Sequence, residues 1–401
     1  MRLKLKHNWF VILCFMLTSC EHAQLVEYGA TENATIKVVL QTEGISKISD
    51  VSFKAYDINM NKDYKSDTLM LTIPLGYYDL SITAKGDGHP IRAYKRGVAV
   101  REDISVELTV DFMHEGNNNF VLAEIFFAGT ETPEGKRYLG DKYFVIFNNS
   151  PDTLAADGLI LIEADLNSVQ KYDLGAYDFR DKYFAVDAMY RIPGDGSTYR
   201  VAPGKVLIIA DNAMNHIDAN INSFDLSMAD FEWYDVSSSA GIADVDNPDV
   251  PNMDKLYCYT YTIWVPHNQG HKSYGLARFP DDMTAEKYFA TADYYISYKY
   301  ELVTAAGTFS QSKKSYVLPN EWIVDAVNLA PYETFQWLTI SDKLDAGYTY
   351  VAPTGSDETR FGKSVRRRSV GTINGRRILQ DTNNSTEDFE PAVQADPFYF
   401  K

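Results

Sequence analysis

The chain has 401 residues, of which 45% are hydrophobic, and its formal net charge is −17. This length has room for two domains, and the hydrophobic content argues against a chain that is disordered throughout. The acidic balance argues against a nucleic-acid partner, because phosphate binding needs a basic patch and only the short segments 364–368 and 375–377 are locally basic.

The first 20 residues have the parts of a bacterial lipoprotein signal. Basic MRLKLKHN precedes the apolar run WFVILCFML, which is too short for a stable transmembrane helix, and the tetrapeptide LTSC ends at Cys20. This ending resembles the lipobox, in which the cysteine is acylated. We therefore expect a signal peptide over 1–19, a lipidated linker over 20–30 and a membrane anchor on Cys20. The alternative is an ordinary cleaved signal with an accidental cysteine.

The residue after Cys20 is Glu21. By resemblance to bacterial lipoproteins, this choice favours the outer membrane, and we expect the cell surface rather than the periplasmic face. Cys258 would then be left without an intrachain disulfide partner, and its apolar surroundings predict a small buried residue rather than a nucleophile.

Short segments typical of β-strands recur from residue 31 to residue 113. In the run SVELTV, Val106, Leu108 and Val110 would share one face. The pattern predicts a small β-sandwich, and the run IPLGYYDLSITAKGDG resembles transthyretin-like or carboxypeptidase-regulatory sandwiches. No polar cluster here suggests chemistry, which favours a spacer role. The predicted strands are 34–41, 50–57, 68–74, 76–85, 94–100 and 104–112.

A second domain is predicted over 120–401, after a linker at 114–119. Two buried strands, 120–128 and 142–147, are separated by a polar Gly/Pro loop, and the apolar run KVLIIA at 205–210 predicts a strand covered on both faces. The fold class predicted for the whole chain is therefore mainly β, with two tandem β-sandwiches.

The second domain carries a series of short motifs along its length. They are Glu124-Ile125, Asn148-Asn149, Asp157-Gly158-Leu159, Val201-Ala202-Pro203-Gly204, the strand 205–210 with Asp211-Asn212, and 381–389 after the basic segment 364–367. In these motifs the domain resembles the lamin-tail-domain superfamily, which implies an immunoglobulin-like sandwich with long loop insertions, used mainly for interaction. The whole pattern also resembles a family of Bacteroidota-type lipoproteins of unknown function, which implies work beside a TonB-dependent outer-membrane receptor.

The main departure from a minimal lamin-tail domain is an insertion at about 231–353, where we expect the specific function. Its acidic run is rich in oxygen ligands of the kind that calcium prefers, although it lacks the glycine and final glutamate of an EF-hand. A solvated, turn-rich loop is the alternative. The candidate calcium ligands are Asp244, Asp246, Asp249 and Asp254.

Two further candidate sites lie in this segment. His267 and His271 are four residues apart and could bind zinc on a helix, but Pro266 and Gly270 favour a loop. An aromatic strand over 256–266 would place three tyrosines on one face, either as an exposed stacking platform for a sugar or a partner, or as core. The candidate ligand-binding residues of this strand are Tyr257, Tyr259, Tyr261 and Trp264.

The motifs of serine hydrolases and phosphate-binding loops are missing, so the sequence predicts no enzyme and no cofactor, with calcium as the possible exception. We expect a lipid-anchored binding protein, an accessory of an uptake complex with an outer-membrane transporter as partner. Two alternatives stay open. One is a surface glycan binder or hydrolase with its site in 231–353, and the other is a structural surface-layer or adhesin component.

Overall fold

The computed structural model describes residues 32–401 except 43–44, 58, 61, 88, 113–118, 305–306 and 374. The predicted signal peptide, the anchor at Cys20 and most of the predicted linker 114–119 therefore lie outside the described residues. No helix of the described part is long and apolar enough to cross a membrane. The chain divides into two compact units, the first ending at Ala84 and resuming over Ala93–Val110, the second comprising Lys85–Arg92 and Asp111–Lys401.

The chain is mainly β, as predicted. The strands are β1 (Asn33–Gln41), β2 (Ile48–Asp57), β3 (Lys62–Ser66), β4 (Met70–Pro74), β5 (Gly76–Gly86), β6 (His89–Val100), β7 (Ile104–Thr109), β8 (Asp111–Phe112), β9 (Phe120–Phe126), β10 (Thr130–Glu131), β11 (Arg137–Tyr138), β12 (Tyr143–Asn148), β13 (Leu154–Ala155), β14 (Leu159–Ala164), β15 (Tyr172–Asp173), β16 (Tyr183–Arg191), β17 (Arg200–Val201), β18 (Val206–Ala210), β19 (Phe231–Glu232), β20 (Asp254–Cys258), β21 (Tyr274–Arg278), β22 (Tyr295–Thr304), β23 (Gly307–Pro319), β24 (Ile323–Val327), β25 (Lys363–Arg367), β26 (Ser369–Ile373), β27 (Arg376–Leu379) and β28 (Phe389–Gln394). The described residues also form the helices α1 (Ala285–Ala290) and α2 (Ser385–Asp388), and 3-10 turns at Gly175–Tyr177, Ala292–Tyr294, Asn320–Trp322 and Glu358–Arg360.

The first unit is a small sandwich. One sheet has the order β4-β1-β7, and the other contains β3, β2, β5 and β6 side by side. Alternate residues of each strand face a shared core that includes Ile36, Phe53 and Leu80. The predicted alternation in β7 is confirmed for Val106 and Leu108, which are buried, whereas the polar strand β3 carries no hydrophobic pattern that would have predicted it.

The second unit packs two larger sheets against each other. The first has the order β19-β18-β12-β9-β25-β28, and the second has the order β15-β22-β23-β16-β14-β21-β24, with β20 also paired to β16. Side chains of both sheets interdigitate in one core, for example Phe144 and Ile209 of the first with Tyr190 and Leu276 of the second. The predicted β-sandwich architecture is confirmed at this level.

Strands β9, β12 and β18 form the centre of the first sheet, and both of their faces are covered. One face meets the inter-sheet core, and the other packs under loop and C-terminal side chains such as Leu226 and Phe400. Every residue of β9 and β12 is buried. This double cover explains why these strands read as continuous apolar runs, as predicted for 205–210.

The segment 231–353 contributes strands to both sheets of the sandwich. It supplies β19 to the first sheet and β20 to β24 to the second, so its strands account for much of the second sheet. The long loops of this segment lie between these strands, and the loop between β20 and β21 carries Tyr259, Tyr261, His267 and His271.

Candidate functional site

The predicted aromatic strand is shorter than expected and divides its candidate residues into two pairs. Strand β20 ends at Cys258 because the chain turns there, and the Thr260 hydroxyl donates a hydrogen bond to the carbonyl of Ile263. Tyr257 packs edge-on against Tyr316 and Trp264 is buried, so both belong to the core. Tyr259 and Tyr261 are 55% and 89% exposed, so the prediction of one continuous tyrosine face is corrected.

The loop that is hydrogen-bonded to the loop of these two tyrosines also exposes aliphatic side chains. Val236 and Ile242, on the neighbouring loop, are 81% and 45% exposed, and the amide of Ser238 donates to the carbonyl of Tyr261 across the two loops. Exposed aromatic and aliphatic side chains that are contiguous on loops mark contact sites more often than scattered ones do. We call this set the tyrosine loop surface; it consists of Val236, Ile242, Tyr259, Tyr261 and Val265.

The buried carboxylate of Asp235 connects the two loops that carry this surface. One oxygen of Asp235 accepts hydrogen bonds from the Trp264 amide at 2.6 Å and from the Tyr190 hydroxyl at 2.7 Å. The other oxygen lies 3.0 Å from the Lys255 ammonium. The Trp264 ring stacks on Tyr190 with a centroid distance of 4.9 Å. The exposed residues are therefore carried on a pre-ordered base, which lowers the entropy lost when a partner binds.

A β-bulge lies beside this base. The register of β14 and β16 pairs Glu163 with Ala188 and Ala164 with Val186, so Asp187 is the extra residue. On its other side, β16 pairs with β23 as far as Val186 and with β20 from Ala188 onward. The carbonyl of Asp187 accepts the Tyr259 amide at 2.8 Å, which ties the tyrosine loop surface directly to the bulge. Bulges of this kind redirect a side chain at functional sites.

The redirected Asp187 carboxylate enters a compact charged cluster. Lys272 Nζ lies 2.7 Å from Asp187 Oδ2 and donates to the backbone carbonyl of Asp165. Lys313 and Ser315, both on β23, donate to the Asp165 carboxylate, as does the Tyr298 hydroxyl at 3.0 Å. The cluster thus joins β14, β16, β22, β23 and the approach to β21.

Burial and the neighbouring Lys272 and Asp165 set the charge of this cluster. Burial, reinforced by the Asp165 carboxylate and opposed by Lys272, raises the pKa of Asp187 to about 7. Burial alone would also raise the pKa of Asp165, but Lys313 and its other donors hold that pKa below its ordinary value. Two carboxylates in contact cannot both ionise freely, which accounts for the divergence of their pKa values.

Three of the four candidate calcium carboxylates, those of Asp244, Asp246 and Asp254, bind protein donors. Asp244 accepts the Asp235 amide at 2.8 Å, Asp246 accepts the Asn252 side chain at 2.9 Å, and Asp254 pairs with Arg191 at 2.7 Å. Among the described residues, no group of three or more His, Cys, Asp or Glu side chains could hold a metal ion. The structure therefore does not gather Asp244, Asp246, Asp249, Asp254, His267 and His271 into a ligand set.

His267 and His271 do lie together, on a loop rather than a helix. Their ring centroids are 4.7 Å apart, and neither His267 Nδ1 nor His271 Nε2 has a hydrogen-bond partner in the described structure. Burial, then His271 and Lys272, lower the pKa of His267 to about 3, and burial, then Arg360 and Lys272, lower that of His271 to about 4. The surrounding cations would oppose a metal ion between the two rings.

Cys258 is half-buried at the end of β20, with its Sγ 3.3 Å from the Thr260 hydroxyl. Burial raises the pKa of its thiol, which matches the predicted inert cysteine. Sequence reasoning missed the bulge cluster of Asp165, Asp187, Lys272 and Lys313. Its members come from four separate segments, and the one available indication was the acidic end of the apolar run LILIEAD.

Comparison with known proteins gives two findings. The model of a family described as "Protein of unknown function (DUF4876)" matches residues 202–396. A crystal structure of a DUF4876 family protein from Bacteroides thetaiotaomicron is similar to the chain with a TM-score of 0.57 and 20% identity, over 91% of this chain and 96% of that one. No curated protein matches. At this identity the similarity demonstrates a shared fold.

Proposed function

We propose that this protein is a lipid-anchored component of a bacterial outer membrane that works by binding another protein, as an accessory to a TonB-dependent uptake complex. The observation that carries the proposal is the tyrosine loop surface, in which Tyr261 is almost fully exposed above a rigid base centred on Asp235. Leaving a large aromatic side chain in water on an ordered loop gives no folding benefit, so a binding role accounts for it best.

The chemistry of the tyrosine loop surface favours a protein over a glycan. Where a sugar stacks on an aromatic ring, polar groups around the ring hydrogen-bond its hydroxyls. On these loops the exposed side chains are mainly the aliphatic Val236, Ile242 and Val265, with Ser238 as an exposed hydroxyl residue. Exposed carboxylates follow at Asp246 and Asp249. Apolar contact with an acidic rim fits a partner surface that is apolar and ringed by basic residues.

The membrane part of the proposal is supported by the leader pattern that ends at Cys20 and by the structural neighbour from a bacterium. The lamin-tail-like and transthyretin-like resemblances favour a pair of interaction and spacer modules. The spacer would hold the second unit away from the lipid, where it can reach a partner.

Photo-cross-linking in intact cells tests the partner. A photoreactive residue placed at Tyr261 or Tyr259 is expected to form a covalent adduct with an outer-membrane transporter, identified by mass spectrometry. The matched control is Tyr177, which is 52% exposed on a different loop of the same unit and is expected to give no such adduct. Equal adducts at the control position, or recovery of this protein alone, would refute the proposal.

Acylation has its own test. Cys20→Ala is expected to move the protein from the membrane fraction to the soluble fraction, because each buried methylene of an acyl chain contributes about 0.8 kcal/mol and the variant loses them all. The measurements are cell fractionation and metabolic labelling with an alkyne fatty acid. Cys14→Ala, which leaves the LTSC tetrapeptide intact, should label and fractionate like the wild type. A labelled, membrane-bound Cys20→Ala protein would contradict the anchor.

A further inference from the structure

Beyond the protein-binding surface, the second unit has a shallow cavity of about 400 Å³ beside His271. Four loop segments form it, around residues 169, 269–271, 333–336 and 354–356, and none of its lining residues belongs to a strand. We propose that this cavity is a binding site for a neutral saccharide. The polar lining of this cavity includes the side chains of Gln269, His271, Glu333, Gln336, Thr354 and Ser356.

The loops around the cavity are locked to one another. The hydroxyl and the backbone amide of Ser168 both lie within hydrogen-bond distance of the carbonyl of His271. The backbone amide of Gln336 donates to the carbonyl of Ser168 at 3.0 Å. The Glu333 amide donates to the carbonyl of Pro353 at 3.0 Å, which joins the segment around 333–336 to the segment around 354–356. The lining groups are thus held in position before any ligand arrives, as a binding site requires.

Several lining groups keep unused hydrogen-bonding capacity. The side chains of Gln269 and Glu333 make no hydrogen bond or ion pair within the described part of the chain. Within the described residues, His271 Nε2 is buried without a hydrogen-bond partner, and a Cβ added at Gly355 would lie only 2.3 Å from it. Amide, carboxylate, hydroxyl and imidazole groups together supply donors and acceptors in the mixture that vicinal hydroxyls need.

The lining also excludes other ligand classes. No lysine or arginine lines the cavity, and the nearby Arg360 and Lys272 already donate to Asn268, Asp357, Asp165 and Asp187, so a phosphate or carboxylate has no cation to pair with. The lining also has no aromatic box for an organic cation, and only Val169 as an aliphatic side chain for a lipid. An extended peptide would need a strand edge to pair with, and the lining consists of loops. A neutral ligand that is rich in hydroxyl groups fits what remains.

Saturation-transfer NMR on the purified, soluble protein tests this site, with maltotriose, cellotriose and chitotriose as saccharide probes and trialanine as the peptide probe. At least one trisaccharide is expected to bind, with affinity about 10-fold weaker in Gln269→Ala and in Glu333→Ala, since each removes a hydrogen-bonding group from the site. Gln311→Ala, an exposed glutamine on β23 far from this lining in sequence, is the control and should bind as the wild type does.

Binding of none of the three trisaccharides, binding of trialanine instead, or equal weakening by Gln311→Ala would each overturn the saccharide site. Glu333→Gln keeps an acceptor and is expected to retain more affinity than Glu333→Ala. Glu333 is exposed, so its variants fold and the comparison stays interpretable. The outcome is independent of the cross-linking at Tyr261, because the two surfaces share no residue.

Discussion

Replacing Arg367 by methionine is expected to lower the free energy of unfolding of the second unit by about 3–5 kcal/mol or to prevent its folding. The guanidinium is buried on β25 and pairs with Asp325 at 2.7 Å and Asp381 at 3.2 Å, with Asp388 at 3.7 Å. It also donates to the carbonyl of Leu122 on β9. Burial opposes its charge, but the three carboxylates raise the pKa of Arg367 above its ordinary value, so it stays a cation.

The variant would leave three buried carboxylates without a counter-charge, which is why removing one partner costs far more than the pair contributes. Urea unfolding followed by tryptophan fluorescence measures the loss. The neighbouring Arg368 is the matched control, because its side chain is 42% exposed and lies 3.7 Å from Glu390 at the surface. Arg368→Met is expected to cost less than about 1 kcal/mol. Similar midpoints for the two variants would show that the buried network is not needed.

The sequence shows that this segment is basic, but not that it is buried. In 364–368 three adjacent arginines look like a solvated surface run, since charged residues are seldom buried. Strand β25 lies against β9 in the centre of the sandwich, and Arg366 binds Glu124 there at 2.7 Å. What buries these residues is pairing with acids that are about 40 to 240 positions away in the chain, as for Asp325 and Glu124, and local composition does not encode such pairing.

Continuous apolar runs were the part of the fold that could be predicted. The strands at 120–128, 142–147 and 205–210 correspond to β9, β12 and β18 with ends that differ by one or two residues, because double-sided burial leaves a strong local pattern. The weak points were the polar strands and the sheet order. β3 and most of β23 are exposed and carry no apolar period.

The sequence indicated which residues of 256–266 to consider, but not where the strand ends or which of the side chains are exposed. Tyr259 and Tyr261 were among the predicted contact residues and are exposed, but alternation alone could not show that β20 ends at Cys258 and that Tyr257 and Trp264 turn inward. The bulge at Asp187 depends on a register shift between two strands, which is a property of their pairing and leaves no mark in either strand by itself.

The histidine pair predicts how stability depends on pH. His267 and His271 are neutral in the folded protein, with pKa values of about 3 and 4, against about 6.5 in an unfolded chain. Below pH about 6.5 the unfolded chain therefore binds more protons, and the stability that comes from keeping both rings neutral is lost as the pH falls toward the folded pKa values. Each ring contributes at most about 1.4 kcal/mol per pH unit, and we expect about half of that because both rings are partly exposed.

The double variant His267→Gln and His271→Gln isolates this effect, since glutamine keeps polar atoms and a similar volume but does not titrate. At neutral pH it is expected to be slightly less stable than the wild type, because the ring packing is lost. Between pH about 6.5 and about 4 the difference should shrink and then reverse, as the wild type loses stability faster. Urea midpoints across this range give the measurement. Carboxylates contribute to both curves and cancel in the difference, so parallel curves would mean that the two imidazoles are protonated without cost in the folded protein.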